Sequence, residues 1–371
     1  MPEKKHLIIG LTGNIGSGKS TVLNMLRHLG AYGVDADALT RKAYQQEDIA
    51  ARIKKCFGSL DRKVLAQRVF NDAQALADLE AIIHPQVTRI AHKLIAHAVL
   101  PVIVIEAIKL LESDLAALCD WIWVVAADDE QVIQRLVEGR AMDPLEIEER
   151  LTNQSPYKEK AEKADVVIQN GGTREETWKQ IKTAWQNLMI AEKYPAISER
   201  TLALISPFSR HIVQPFSPAH MRVRAMIAEE QSMHLDPNDK TIPLEMLDEW
   251  VCDGVVFASG DVADGMHFSA WQLNTFNFNM HAAIEFGQDA PTGKGTLPPA
   301  LAEQFARMHR VESLMIAIGL PLNESIKQDL EFRNFISANQ KLAETTQWFK
   351  AGYNVFYKQI WNLLADLENM H

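Results

Sequence analysis

Apolar residues alternate between two patterns over the first half of the chain. Short continuous runs at 6–11, 101–106, 121–127 and 164–168 read as strands buried in a sheet, and Val34 closes another. Between them, apolar residues recur at spacings of three and four. This predicts helices over 21–29, 60–70, 73–83, 130–140, 144–153 and 173–191. Gly30 is a stop for the first helix. Pro85 is expected to break the helix that starts at 73, because proline disfavours helical backbone in the residue before it. Strands alternating with helices predict a doubly wound parallel sheet.

The second half has a different rhythm. Residues 194–199 look like a linker, followed by Pro207, Pro215 and Pro218, so a second domain is expected from about 200 to 371 after a first of 1–193. Residues 210–215 read as a strand, and Ser217-Pro218 as the cap and first residue of a helix running to about 233. Runs at 254–259, 266–273 and 276–286 predict three antiparallel strands, with Asp264-Gly265 as a turn in the first pair. A glycine loop at 292–296, a helix over 298–309, a strand over 312–318, further helices and a last strand over 352–360 complete an α+β pattern.

One segment carries specific chemistry. Gly13-Asn14-Ile15-Gly16-Ser17-Gly18-Lys19-Ser20 follows the first strand and opens the first helix. This fits the phosphate-binding P-loop, G-x-x-x-x-G-K-[ST]. Glycines let the backbone approach a phosphate, and successive N–H groups converge at a helix N-terminus whose dipole favours anions. Lys19 can reach the terminal phosphates of a nucleotide, and the Ser20 hydroxyl can bind Mg²⁺.

Asp35 and Asp37 follow the second strand, where open α/β sheets bind ligands. One carboxylate suits activation of a hydroxyl and the other suits Mg²⁺. A helix N-cap with a solvated neighbour fits the spacing equally well. His84 is either a site residue or a helix-end histidine. Arg135 and Arg140 lie near the end of the helix over 130–140, and with the charged helix that follows over 144–153 they suit a lid over phosphates; a solvated charged hairpin is the alternative.

Composition narrows the classes. The chain has 371 residues, 47% of them hydrophobic and 23% charged, as in globular proteins built of two or three domains. A net charge of −10 argues against non-specific nucleic-acid binding. Cys56, Cys119 and Cys252 form no metal or disulfide pattern and read as buried free thiols. No apolar run reaches the eighteen residues of a membrane span, and residues 1–5 show no secretory pattern. A cytoplasmic protein is expected.

The ordered set of motifs resembles the dephospho-coenzyme A kinases over about residues 7–188. It comprises Leu11 to Thr21, Val34-Asp35-Ala36-Asp37 with Arg41, Phe57-Gly58, Leu79, His84-Pro85, Leu110-Leu111-Glu112, Arg135, Arg140, Gln154, Lys160 and Ala164 to Gly171. The resemblance implies a P-loop NTPase sheet with a helical lid, and transfer of the ATP γ-phosphoryl to the ribose 3′-hydroxyl of dephospho-CoA. It makes Asp37 the general base and Lys19 and Arg140 the groups holding the moving phosphoryl. Ser20 would hold Mg²⁺, and the loop from Gly13 to Thr21 with Asn170 would hold ATP. His84, Glu112 and, more weakly, Asp35 would face the acceptor. Two departures stand out: the family's Pro-Leu-Leu-Phe-Glu segment reads Ile108-Lys109-Leu110-Leu111-Glu112 here, and a loop glycine is replaced by Asn14.

The second half resembles a degenerate GCN5-related N-acetyltransferase, in which a glycine loop receives the pyrophosphate of acetyl-CoA. Gly293-Lys294-Gly295 is the matching segment. His267, His281 and Glu285 read as structural, so no catalytic base is assigned. The resemblance implies CoA or acetyl-CoA as a ligand; a purely associative role and the oligomeric state stay open. Two other functions remain for the whole chain: a different small-metabolite or nucleoside monophosphate kinase, and a nucleotide-dependent regulatory protein.

Overall fold

A computed structural model of the chain describes residues 6–192 apart from 71 and 141. In the second half it describes 212–218, 220–221, 224–225, 248, 251–252, 256–259, 267–269, 274–276, 279–284, 299–318, 324–338 and 354–368. The chain divides into one compact unit of Met1–Lys19, Ala31–Gly172 and Asn362–His371, and another of Ser20–Gly30 and Thr173–Trp361.

Five strands, β1 (Leu7–Thr12), β2 (Ala31–Asp35), β3 (Val102–Glu106), β4 (Trp121–Ala126) and β5 (Val166–Gln169), form one parallel sheet in the order β2-β3-β1-β4-β5. Its interior is apolar: Ile9, Leu11, Ile103, Val104, Ile105 and Trp123 are fully buried. Truncating such a side chain to alanine costs roughly 2–5 kcal/mol. Because β1, β2 and β3 are parallel and adjacent, Leu11 and Asp35 both pair with Glu106, so their carboxyl ends share one edge of the sheet. The expected phosphate loop and carboxylates leave the sheet at that edge.

The helices of the first half are α1 (Lys19–His28), α2 (Ala36–Tyr44), α3 (Glu47–Phe57), α4 (Arg62–Phe70), α5 (Ala73–His97), α6 (Asp129–Arg140), α7 (Pro144–Thr152), α8 (Tyr157–Ala161) and α9 (Arg174–Ala191). Their ends follow local chemistry. Asp72 caps α5 through the N–H groups of Gln74 and Ala75, Asp143 caps α7 ahead of Pro144, and Thr173 with Glu176 forms a capping box on α9.

The break expected at His84-Pro85 does not occur. The helix runs unbroken through Pro85 to His97. Proline removes one intrahelical hydrogen bond and crowds the preceding turn. The apolar face continues across it: Leu79, Ile82 and Ile83 before the proline, and Val87, Ile90, Ala91 and Leu94 after it, are all buried. Each of these leucine, isoleucine and valine side chains contributes about 1.5–3 kcal/mol by burial, which outweighs the local penalty.

In the second half, β6 (Ile212–Val213), β7 (Val256–Ser259) and β8 (His267–Ser269) form an antiparallel sheet. A second sheet contains β9 (Asn274–Phe276), β10 (Asn279–Ile284), β11 (Ser313–Ile318), β12 (Ile336–Ser337) and β13 (Asn354–Gln359), in the order β12-β13-β11-β10-β9. The expectation of three consecutive antiparallel strands is therefore corrected. The third of them, β10, leaves the first two and pairs parallel with β11 across the helix α10 (Pro299–Met308), and antiparallel with β9. A short run of alternating residues reads the same in either setting, so the sequence pattern could not choose its partner. Helices α11 (Glu324–Phe332) and α12 (Leu363–Glu368) follow.

Ser217 acts as the expected cap, its Oγ accepting the His220 N–H at 3.2 Å. The His220 ring is fully buried, with Nδ1 2.9 Å from the Phe216 N–H and Nε2 3.0 Å from Asp248. The linker, the Asp264-Gly265 turn, the 292–296 loop and Glu285 lie outside the described residues. His267 and His281 fall on strands as expected. Of the three thiols expected to be buried, only Cys252 is fully so; Cys119 is half-buried and Cys56 is exposed on the polar face of α3. No helix among the described residues is long and apolar enough to cross a membrane.

Candidate functional site

The loop between β1 and α1 is shaped by glycines where nothing larger fits. Gly18 has φ +91°, and a Cβ there would lie 2.0 Å from Asn170 Nδ2. Gly13 approaches the Val125 carbonyl so closely that a Cβ would lie 2.4 Å from its oxygen. Ser17 N–H closes the turn onto the Asn14 carbonyl at 3.1 Å. The Ser17 hydroxyl is buried and has no hydrogen-bond partner among the described residues, a donor suited to a phosphate oxygen. Lys19 is almost buried, and its Nζ donates to the Asn14 carbonyl at 3.1 Å, which holds the ammonium across the loop. Ser20 and Thr21 follow in the first turn of α1, with Ser20 exposed.

Asn170, after β5, supports the loop from beneath. Its Nδ2 donates to the Ser17 carbonyl at 2.7 Å, and its own carbonyl accepts from Arg135 Nη2 at 2.6 Å. Asn170 is thus a buried brace for the loop, tied to α6 through Arg135. Arg140 ends α6, and its side chain lies outside the described residues.

Beside the loop lies a cavity of about 640 Å³ whose walls include Ile15, Asp37, His84, Lys109, Arg150 and Gln154. Asp37 and His84 are both exposed, and both reach it. The unbroken α5 brings His84 here: the residue projects from the middle of a rigid helix. The two aspartates separate cleanly. Asp35 caps α2, accepting the Asp37 N–H at 2.8 Å, and stands 3.4 Å from Arg41. Burial, then the neighbouring Asp37 charge, raises the Asp35 pKa above the ordinary carboxylate value. Asp35 does not line the cavity; Asp37 does. Glu112 also stays off the cavity wall and accepts from Ser155 Oγ at 3.2 Å.

Two further residues tie the segment after α7 to the loop. Gln154 Oε1 accepts the Ile15 N–H at 2.9 Å, and Lys160 Nζ donates to Asn14 Oδ1 at 3.1 Å. Both belong to the motif set read from the sequence, but nothing in their spacing gave them a role. Arg150, Thr40 and Asp114, which also line the cavity, carried no sequence signal at all.

The dephospho-CoA kinase of Geobacter metallireducens is 41% identical to this chain over 201 residues, 99% of that enzyme's length and 51% of the present chain. The chain belongs to the dephospho-CoA kinase family. The family model, described as CoaE, dephospho-CoA kinase, matches residues 7–176. The dephospho-CoA kinase of Geobacter sulfurreducens is 38% identical over 200 residues, again 99% of its length. Among solved structures, TT1252 from Thermus thermophilus is 33% identical, covers 50% of this chain and 99% of its own, and gives a TM-score of 0.47. The family region takes in the whole parallel sheet, the phosphate loop and every cavity residue named above, and ends before the second half begins.

Proposed function

We propose that the chain transfers the γ-phosphoryl group of ATP to the ribose 3′-hydroxyl of dephospho-CoA, the last step in making coenzyme A. One observation carries the reading: the family's phosphate loop opens beside a cavity on whose wall Asp37 stands exposed. Phosphoryl transfer needs mainly positioning and charge neutralisation, with a carboxylate to accept the hydroxyl proton. Asp37 accepts that proton. Lys19 and Arg140 hold the transferring group, Gly13 to Thr21 cradle ATP with Asn170 bracing them, and His84 lines the acceptor site. Glu112 acts from outside the cavity, and Asp35 shapes the turn that presents Asp37.

Mg²⁺ fits the Ser20 hydroxyl, exposed in the first turn of α1 beside Lys19. Among the described residues no cluster of three or more His, Cys, Asp or Glu is placed to hold a cation. That suits a metal carried mainly by phosphate oxygens and water. When bound, Mg²⁺ neutralises phosphate charge. Helix α7, which lines the cavity through Glu146, Glu149 and Arg150, acts with α6 as the lid.

The test is ADP release measured with and without dephospho-CoA. Release that depends on dephospho-CoA is expected. Release driven instead by a nucleoside monophosphate, or by no acceptor, overturns the reading.

For residues 200–371 we propose an acetyltransferase-like domain in the cytoplasm, joined to a kinase domain of 1–193, that takes CoA or acetyl-CoA. Support comes from the parallel pairing of β10 and β11 across α10, with the glycine loop in that connection. Calorimetric titration of the kinase-dead full chain with acetyl-CoA tests it. A second binding event is expected, and a single event overturns it.

A further inference from the structure

Lys160 is a lysine with 2% of its surface exposed, in the short helix α8. Burying an ammonium is costly unless its protons find partners. Here Nζ donates to Asn14 Oδ1 at 3.1 Å and to the Ile108 carbonyl at 3.2 Å. The two acceptors belong to different halves of the reaction. Asn14 sits in the phosphate loop, where the Lys19 ammonium is held by its carbonyl. Ile108 sits on the wall of the acceptor cavity, beside Lys109.

The Ile108 carbonyl also accepts from Thr12 Oγ1 at 3.0 Å, so the wall is pinned to the end of β1 as well. Burial lowers the Lys160 pKa, and the charge of Glu112, beside the cavity-lining Ser113, opposes that shift. An apolar side chain in this place would avoid the desolvation cost altogether. The charge is retained where it bridges Asn14 and Ile108, between which no backbone hydrogen bond runs among the described residues.

We infer that Lys160 is a positioning residue that locks the phosphate loop to the acceptor wall, fixing the distance between the terminal phosphate and the acceptor hydroxyl. The inference rests on the kinase reading above. Misplacement of reacting atoms by about 1 Å can cost on the order of 100-fold in rate without loosening either substrate. The bond to Asn14 uses a side-chain amide oxygen, and the bond to Ile108 uses a backbone carbonyl, so substitution of Asn14 removes one and spares the other.

The full chain is compared as parent, Lys160→Met, Asn14→Gly and the double variant. Phosphoryl transfer to dephospho-CoA, binding of ATP and dephospho-CoA by calorimetry, and slow ATP hydrolysis without acceptor are each measured. For Lys160→Met, kcat for transfer is expected to fall about 100-fold. Both dissociation constants should stay within about threefold, and hydrolysis should fall far less than transfer, because water needs no wall. Asn14→Gly should lose less, and in its background Lys160→Met should cost less than in the parent.

Parallel loss of transfer, hydrolysis and ATP affinity would overturn the inference, since that is what mere damage to the loop produces. Additive effects of the two substitutions would also overturn it. If Lys160→Met fails to fold, Lys160→Gln, which keeps a donor but shortens its reach, decides in the same way: transfer and hydrolysis falling together count against the lock, and a selective loss of transfer supports it. A parent that transfers nothing to dephospho-CoA defeats the kinase reading instead. A parent and Lys160→Met that transfer equally defeat only this inference.

Discussion

The phosphate loop and the cavity beside it, the proposed donor and acceptor sides of the site, are built by different means. The phosphate loop is made of backbone held in place from every direction: Asn170 beneath Ser17, Gln154 on the Ile15 N–H, Lys19 across to the Asn14 carbonyl. The acceptor cavity is walled by side chains from separate segments, and Asp37, His84 and Lys109 are exposed. A nucleotide's phosphates are the same in every kinase of this kind, so a rigid mould serves. An acceptor differs between kinases, and exposed side chains on fixed elements can change without disturbing the mould. Damage to the donor side should therefore abolish binding, and damage to the acceptor side should alter turnover or selectivity.

The largest effect is expected at Gly18. An alanine there meets Asn170 Nδ2 at 2.0 Å in a left-handed backbone conformation. Either Asn170 leaves the Ser17 carbonyl or the loop opens. ATP affinity of Gly18→Ala should fall by on the order of 100-fold or more, read by calorimetry. Affinity within threefold of the parent would mean that the loop is not the rigid mould described.

Next comes Asp37→Asn. It removes the proposed proton acceptor and leaves the mould untouched, so kcat should fall by roughly 100- to 10,000-fold while ATP affinity holds. Stopped-flow or coupled measurement of ADP release distinguishes this from Gly18→Ala, in which binding itself is lost. Normal turnover in Asp37→Asn would remove the aspartate from the mechanism.

How far this contrast was legible in the sequence differs between the two sides. The loop could be read from Gly13 to Ser20 because its chemistry is local: spacing alone fixes which N–H groups converge. The cavity could not, because His84, Lys109 and Arg150 come from three segments that meet only in the fold. The mistaken break at Pro85 has the same root. A proline's penalty is visible in sequence, whereas the buried face that overcomes it, from Leu79 to Leu94, counts only once packing is known. Strand β10 was found but paired wrongly, since partner choice is tertiary. Asp35 and Asp37 were indistinguishable by spacing; the hydrogen bond from the Asp37 N–H to the Asp35 carboxylate separates cap from wall.

A smaller effect follows from that separation. In Asp35→Asn the cap survives, because asparagine caps as well as aspartate. Burial and the Asp37 charge raise the Asp35 pKa above 3.8, so its proton is held more tightly in the folded state. The ionised carboxylate therefore weakens the fold once pH rises through the folded pKa, and the penalty vanishes below 3.8. Asp35→Asn should be at least as stable as the parent at pH 7, and thermal melts should show that margin disappearing in acid. A clearly lower Tm for the variant at neutral pH would show that the charge itself, through Arg41, holds the turn.

The smallest effect is expected at Lys109, where the resemblance leads one to expect an apolar residue. Lys109 is exposed on the cavity wall, next to the carbonyl that Lys160 holds. Dephospho-CoA carries a diphosphate, and an exposed cation near it contributes about 0–1 kcal/mol. Lys109→Leu should therefore raise the KM for dephospho-CoA by about two- to fivefold at low salt, with the effect falling on KM rather than kcat. Raising the ionic strength to about 1 M shortens the screening length to about 3 Å and should bring the two enzymes together. A difference that persists in high salt would show that Lys109 acts through contact or shape. The acceptor side would then share the rigidity so far confined to the phosphate loop.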